Sequence, residues 1–252
     1  MNYNVQSLLL RLKRAETPFF KSARRACTYC LSATIPVPST LRPVGRLFYE
    51  LRFCIPILWK RFSSLIYTTP LFSCRCETVG KRLQLRKLPV VSGHASLHVG
   101  DDVRFSGSCA ISSGRFGQHP TLRIGNRVFI GSNVSITCNH EVVIEDDVLI
   151  ASNCRIADYD GHPASWEKRI SHGIPDPEDI RPVRIRKGAW IGCGAHICKG
   201  VTIGAFSVVG ANSVVTHDVP AYCVVAGSPA RVVKQPQGCG VANRATAVSA
   251  VA

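Results

Sequence analysis

"IRKGAWIGCGAHICKGVTIGAFSVVGANSVV", Ile185–Val215, returns an aliphatic residue every six positions: Ile185, Ile191, Ile197, Ile203, Val209 and Val215. A helix would bring apolar residues back at three and four. A period of six fits short strands joined by tight turns, with inward positions two residues apart. Three such strands close a triangular coil of about 18 residues, and successive coils stack at about 4.8 Å. A small residue often follows the buried one, as at Gly192, Gly204 and Gly210, where glycine eases the corner. A single coil cannot bury its inner face, so the run is stable only as a stack.

The same beat extends toward the N-terminus through Ile144, Ile150 and Ile156, through Ile124, Ile130 and Ile136, and through Val99, Phe105 and Ile111. Val, Ala, Ser or Cys occupies the second inward position, four residues on: Val103, Cys109, Val128, Val134, Val148, Cys154, Ala189, Ala195, Val201, Ser207 and Ser213. The expected fold is mainly β, a coiled domain over residues 91–234. Before it lies a basic, amphipathic, partly helical region, 1–90. After it comes a flexible tail, 235–252, without hexads. The beat fails most sharply between Ile156 and Ile185, a gap of 29 positions where six are expected. The resulting loop, 157–184, carries His162, Trp166, Lys168, Arg169 and His172. Loops this long are usually functional or disordered, and this one is read as a flap over a ligand pocket, with Trp166 as its stacking aromatic.

The formal charge of +15 is lopsided. Residues 1–95 hold 16 Lys/Arg against 3 Asp/Glu, and residues 96–252 hold 15 against 13. Such asymmetry points to an anionic partner. No nucleic-acid-binding fold marks the region, so a membrane surface is the expectation. The most apolar stretch, "RLFYELRFCIPILWKRFSSLIYTTPLF" (Arg46–Phe72), is interrupted by Glu50, Arg52, Lys60, Arg61 and Pro56. A spanning helix needs about 20 predominantly apolar residues. Phe48, Leu51, Leu58, Trp59, Phe62 and Leu65 instead suit a helix lying in the interface. The same residues equally suit packing on the protein or on a neighbouring subunit. Twelve cysteines are present. Cys109, Cys154 and Cys223 fall on inward positions as small hydrophobes. Cys27 and Cys30 form C-x-x-C, and Cys74 and Cys76 form C-x-C, without the second pair or nearby histidine that a zinc site needs. No secretory signal is read, and a reducing cytoplasm is expected.

Three segments resemble the hexapeptide-repeat acyltransferases, the left-handed parallel β-helix family, over about Val99–Lys234. They are "ADYDGHP" (Ala157–Pro163), "VIEDDVLIASNC" (Val143–Cys154) and the run from Pro182 to Lys234. The nearest resemblance is to the maltose, galactoside and polysaccharide O-acetyltransferases. It implies the left hand of the coil, a homotrimer with sites between subunits, and acetyl-CoA as co-substrate with no metal required. It also implies transfer to a hydroxyl of a sugar or polysaccharide precursor, with His162 as general base. Imidazole can take the hydroxyl proton near neutral pH and pass it to the departing thiolate. Asp158 and Asp160 are near enough in sequence to orient the ring. The resemblance places Trp190, Gly192 and Cys193 beside the thioester, with the Gly192 and Cys193 amides facing the oxyanion. It sets Ala211 and Thr216 along the pantetheine arm, and Arg231 and Lys234 near the CoA phosphates. Asn139 stands near an acidic acceptor-site position of the sugar enzymes. His217 replaces a usual Lys or Arg. Alternatives of the same fold are an acyltransferase for serine or amine acceptors, a carbonic-anhydrase-type hydratase, for which the eight histidines supply no recognised spacing, and a non-catalytic interaction module.

Overall fold

The structure is a computed structural model that describes residues 13–14, 17–32, 38–114, 119–163, 165–171 and 175–235. His172, the side chains of Cys27 and Cys30, and the tail beyond Gln235 lie outside these. The chain divides into two compact units, Met1–Pro56 and Ile57–Ala252. The N-terminal region is helical: α1 is Pro18–Ser32 and α2 is Arg42–Ser63. In α2 the apolar residues recur at helical spacing, from Val44 through Leu47, Phe48, Leu51, Ile55, Leu58 and Trp59 to Phe62, and all are exposed. Among the described residues no helix is long and apolar enough to cross a membrane.

From Thr78 to Lys234 the chain coils through three sheets. Face A contains Thr78–Val79, Ser96–Val99, Thr121–Ile124, Glu141–Ile144, Val183–Ile185 and Thr202–Ile203. Face B contains Gln84–Leu85, Arg104–Phe105, Phe129–Ile130, Leu149–Ile150, Trp190–Ile191, Val208–Val209 and Val224–Gly227. Face C contains Val90–Ser92, Cys109–Ser112, Val134–Thr137, Arg155–Ala157, His196–Ile197 and Val214–Val215. Neighbouring strands on each face are parallel and in register: Ile144 pairs with Ile185, Ile150 with Ile191 and Ile156 with Ile197. The hexad residues therefore stack above one another, and Ile130, Ile136, Ile150, Ile156, Ile185, Ile191 and Ile197 are fully buried. The second inward set, from Val103 to Ser213, is buried too. Asn133, Asn153 and Asn212 turn the B–C corner with positive φ, and Asn133 Nδ2 donates to Asn153 Oδ1 at 2.9 Å. Asparagine accepts this left-handed geometry at little cost.

The coil begins earlier than the expected boundary at residue 91. Thr78–Val79, Gln84–Leu85 and Val90–Ser92 form its first turn and pair with the next. Val79, Leu85 and Val91 keep the six-residue beat, but Lys81, Arg82, Arg86 and Lys87 between them mask it as basic linker. A short helix, α3 (Thr69–Ser73), closes that end, with buried Phe72 edge-on to Phe105 at 5.8 Å. At the far end Ala230–Lys234 runs antiparallel to Val224–Gly227, the one reversal among the described strand pairs.

Candidate functional site

The loop leaves the wall at the C–A corner, after Arg155–Ala157. Its first residue beyond the strand, Asp158, is fully buried. Its carboxylate accepts the Asn139 amide at 2.8 Å and the His140 amide at 2.7 Å, fastening the loop's root to the coil below. Burial pushes the Asp158 carboxyl above its ordinary range, and the amide donors work against that rise. Asp160 makes a different bond, with its Oδ2 2.7 Å from Lys199 Nζ. Neither carboxylate is thus engaged with the imidazole within the chain, contrary to the orienting role expected of them. His162 is exposed beyond Gly161, which has φ +97° and open space around it.

The rest of the loop is braced rather than structureless. Helix α4, Trp166–Ile170, is capped by Ser165, whose Oγ accepts the Lys168 amide at 3.3 Å. Arg169 donates to the Pro163 carbonyl at 3.0 Å, and Lys168 pairs with Asp176. Trp166 is 61% exposed on this helix, with its indole open to a ligand. The return arm rejoins the root: the Arg181 amide donates to the Asp158 carbonyl at 2.9 Å.

Asn139 does not face a ligand in the chain. It is 1% exposed, its Oδ1 accepts the Gly114 amide and its Nδ2 lies 3.4 Å from Asp158. The side chain ties two loop roots together, so the expected acceptor contact is corrected to an internal one. Gly192 is corrected likewise. Its amide donates to the Val209 carbonyl at 2.8 Å and is not available to an oxyanion. A Cβ there would stand 2.6 Å from the Val209 oxygen, so coil stacking requires this glycine. The Cys193 amide, by contrast, has no hydrogen-bond partner among the described residues. Cys193 and Ala211 lie on adjacent rungs of the B–C corner, linked by the Asn212 amide to the Cys193 carbonyl at 2.8 Å.

Trp190 is 51% exposed on face B between Leu149 and Val208. Arg231 and Lys234 are exposed on the reversed strand of that face. Thr216 stands at the C–A corner, its Oγ1 2.9 Å from His217 Nδ1. The expected residues therefore fall on two edges. Cys193 and Ala211 mark one edge, and the His162 loop and Thr216 mark the other. The strand from Ala211 to Thr216 separates them by about 16 Å. Within one chain the candidate base and most of the candidate CoA groups do not meet.

Lys199, Asp179 and Tyr159 were not among the expected residues. Their proximity is set by the loop folding back, which no local spacing encodes.

Two hexapeptide descriptions match the coil. "Bacterial transferase hexapeptide (six repeats)" matches residues 182–217, and "Hexapeptide repeat of succinyl-transferase" matches residues 121–157. Both stretches carry the hexapeptide repeat of the acyltransferases. The three parallel faces are consistent with a left-handed β-helix. Among relatives, the galactoside O-acetyltransferase of Escherichia coli is 37% identical over 120 residues, 48% of this chain and 57% of that protein. A Mycobacterium tuberculosis protein named "Probable acetyltransferase" is 32% identical over 178 residues, 69% of this chain and 56% of that one. The chain spans little more than half the length of these curated relatives. A mutant of AntD, an N-acyltransferase from Bacillus cereus, superposes with a TM-score of 0.53 at 20% identity, over 66% of this chain and 87% of that one. That likeness concerns the fold alone.

Proposed function

We propose that the protein transfers an acetyl group from acetyl-CoA to a hydroxyl of a saccharide, with His162 as general base. The observation that carries this reading is His162 itself. It is the exposed histidine of the G-H-P turn, presented on a braced loop at a corner of an acyltransferase β-helix. The imidazole removes the hydroxyl proton as the oxygen attacks the thioester carbon. The C–S bond then breaks, and the proton goes to the CoA thiolate, giving the O-acetyl product and free thiol. The unpartnered Cys193 amide is the donor suited to the tetrahedral oxyanion. Trp190 and Ala211 would flank the pantetheine, and Arg231 and Lys234 the phosphates. The gap of about 16 Å along face C supports a site shared between subunits, in which a neighbour's His162 loop meets this chain's B–C corner. A homotrimer supplies that arrangement. The saccharide acceptor rests on the galactoside relative and on exposed Trp166, and suggests polysaccharide biosynthesis.

His162→Ala should lower turnover about 100-fold or more, read as free-thiol release from acetyl-CoA with a panel of sugar acceptors. Turnover near wild type would overturn the reading.

The buried thiols of Cys109, Cys138, Cys154 and Cys223 suit a reducing cytoplasm. Helix α2 supports peripheral contact with the anionic face of a membrane, through its apolar stripe and its flanking arginines. Vesicles of phosphatidylglycerol should sediment the protein, and Leu47→Glu with Trp59→Glu should abolish this. Equal sedimentation of both proteins would count against membrane contact.

A further inference from the structure

We propose that Lys199 is the positioning residue for His162, a single ammonium that clamps both arms of the loop; this rests on the reading of His162 as the base. Lys199 lies at the C–A corner, just past the His196–Ile197 strand, and its side chain is only 16% exposed. Its Nζ is 2.7 Å from Asp160 on the outgoing arm and 3.5 Å from Asp179 on the returning arm. The adjacent Gly200 completes the clamp. Its amide donates to the Arg181 carbonyl at 3.1 Å, and its lack of a Cβ leaves room for the Arg181 side chain, which would stand 3.2 Å from one.

His162 needs this restraint because of what precedes it. Gly161 has no neighbour within 4 Å of a would-be Cβ and sits at positive φ, so it fixes nothing by itself. The chain on either side of His162 is held, before it by Asp160 through Lys199 and after it by the Arg169 bond to the Pro163 carbonyl. Tyr159 makes the demand on the clamp greater. It is 4% exposed, and its hydroxyl has no hydrogen-bond partner among the described residues. A buried orphan hydroxyl opposes the conformation that buries it. The outgoing arm is kept in place by the ion pair of the next residue, Asp160, with Lys199.

A reacting group displaced by about 1 Å can lose roughly 100-fold in rate. Lys199→Met should therefore lower kcat about 10- to 100-fold while the KM for acetyl-CoA changes less than about twofold. Trypsin should cut the full-length variant faster after Lys168 and Arg169, with the sites read by mass spectrometry, because the loop opens locally. Lys199→Arg should restore most of both properties. Should Lys199→Met fail to fold, Asp179→Asn, which releases the returning arm alone, is expected to show the same two changes in weaker form. Wild-type kcat, or a reduced kcat with unchanged loop cleavage, would overturn the proposal. His162→Ala run in parallel separates the two ideas. If it stays active, the base assignment fails. If it is inactive while Lys199→Met is unaffected, only the clamp fails.

Discussion

The wall at 121–157 and the loop at 158–181 are consecutive in sequence and held by different physics. In the wall the backbone amides pair with adjacent rungs, as Phe129 does to Val148 at 3.0 Å and Leu149 to Ala189 at 3.0 Å. The inward side chains are aliphatic and need no specific partner. In the loop, stability comes from a few charged and polar side chains, each answering one other group: Asp158 to two amides, Lys199 to two carboxylates, Arg169 to one carbonyl. Dispersed, repeated interactions make the wall tolerant of change at its surface and intolerant within. Concentrated interactions make the loop adjustable, which suits the segment proposed to carry the base.

The largest test of this contrast is in the wall. Ile150→Ala removes a fully buried side chain stacked between Ile130 and Ile191, and should cost about 2–5 kcal/mol in denaturant unfolding. A loss well under 1 kcal/mol would mean that the coils are not close-packed.

Two glycines sharpen it next. Gly192→Ala places a Cβ 2.6 Å from a backbone oxygen of the next coil, so the rungs must part, at about 1–3 kcal/mol. Gly161→Ala meets no atom within 4 Å but is forced to hold φ +97°. It should leave the unfolding midpoint closer to wild type than Gly192→Ala does, and reduce kcat more. The opposite order would erase the distinction between wall and loop.

The smallest effect concerns pH. Burial, and then Arg155, hold His196 below its ordinary value of 6.5. The unfolded chain then binds this proton more tightly than the folded one. Stability contributed by the neutral ring is complete above 6.5 and is lost as pH falls below it toward the folded value. His196→Gln should flatten that acid-side fall in Tm while matching wild type at pH 8. Parallel Tm curves from pH 8 to pH 5 would show that the ring is as protonatable in the fold as outside it.

These differences also explain what could be read from the chain alone. The wall was legible because one residue type recurs at one interval, and every Ile from 124 to 203 named from that beat is buried. The first coil kept the beat at Val79, Leu85 and Val91 but was hidden by four basic side chains on its outer turns. The loop was legible as an interruption, not as a mechanism. Asn139 and Gly192 occupy positions suggestive of ligand contact, yet the fold spends Asn139 on joining loop roots and Gly192 on coil stacking. Lys199 carried no local signal, because its partners arrive from both arms of a loop whose closure only the folded chain displays.

The reversed strand at the C-terminal end, Ala230–Lys234, bears on how many copies can join end to end. A parallel coil is a template without a natural stop, since any further coil of the same direction can continue its hydrogen-bonded rims. On face B the last described strand points the wrong way for another copy's Gln84–Leu85 to extend. Arg231 and Lys234 add charge to that rim, where a second molecule would need to dock. A protein built from a repeat that invites fibre growth thus carries its own terminator, and the length of its column is written once into each chain.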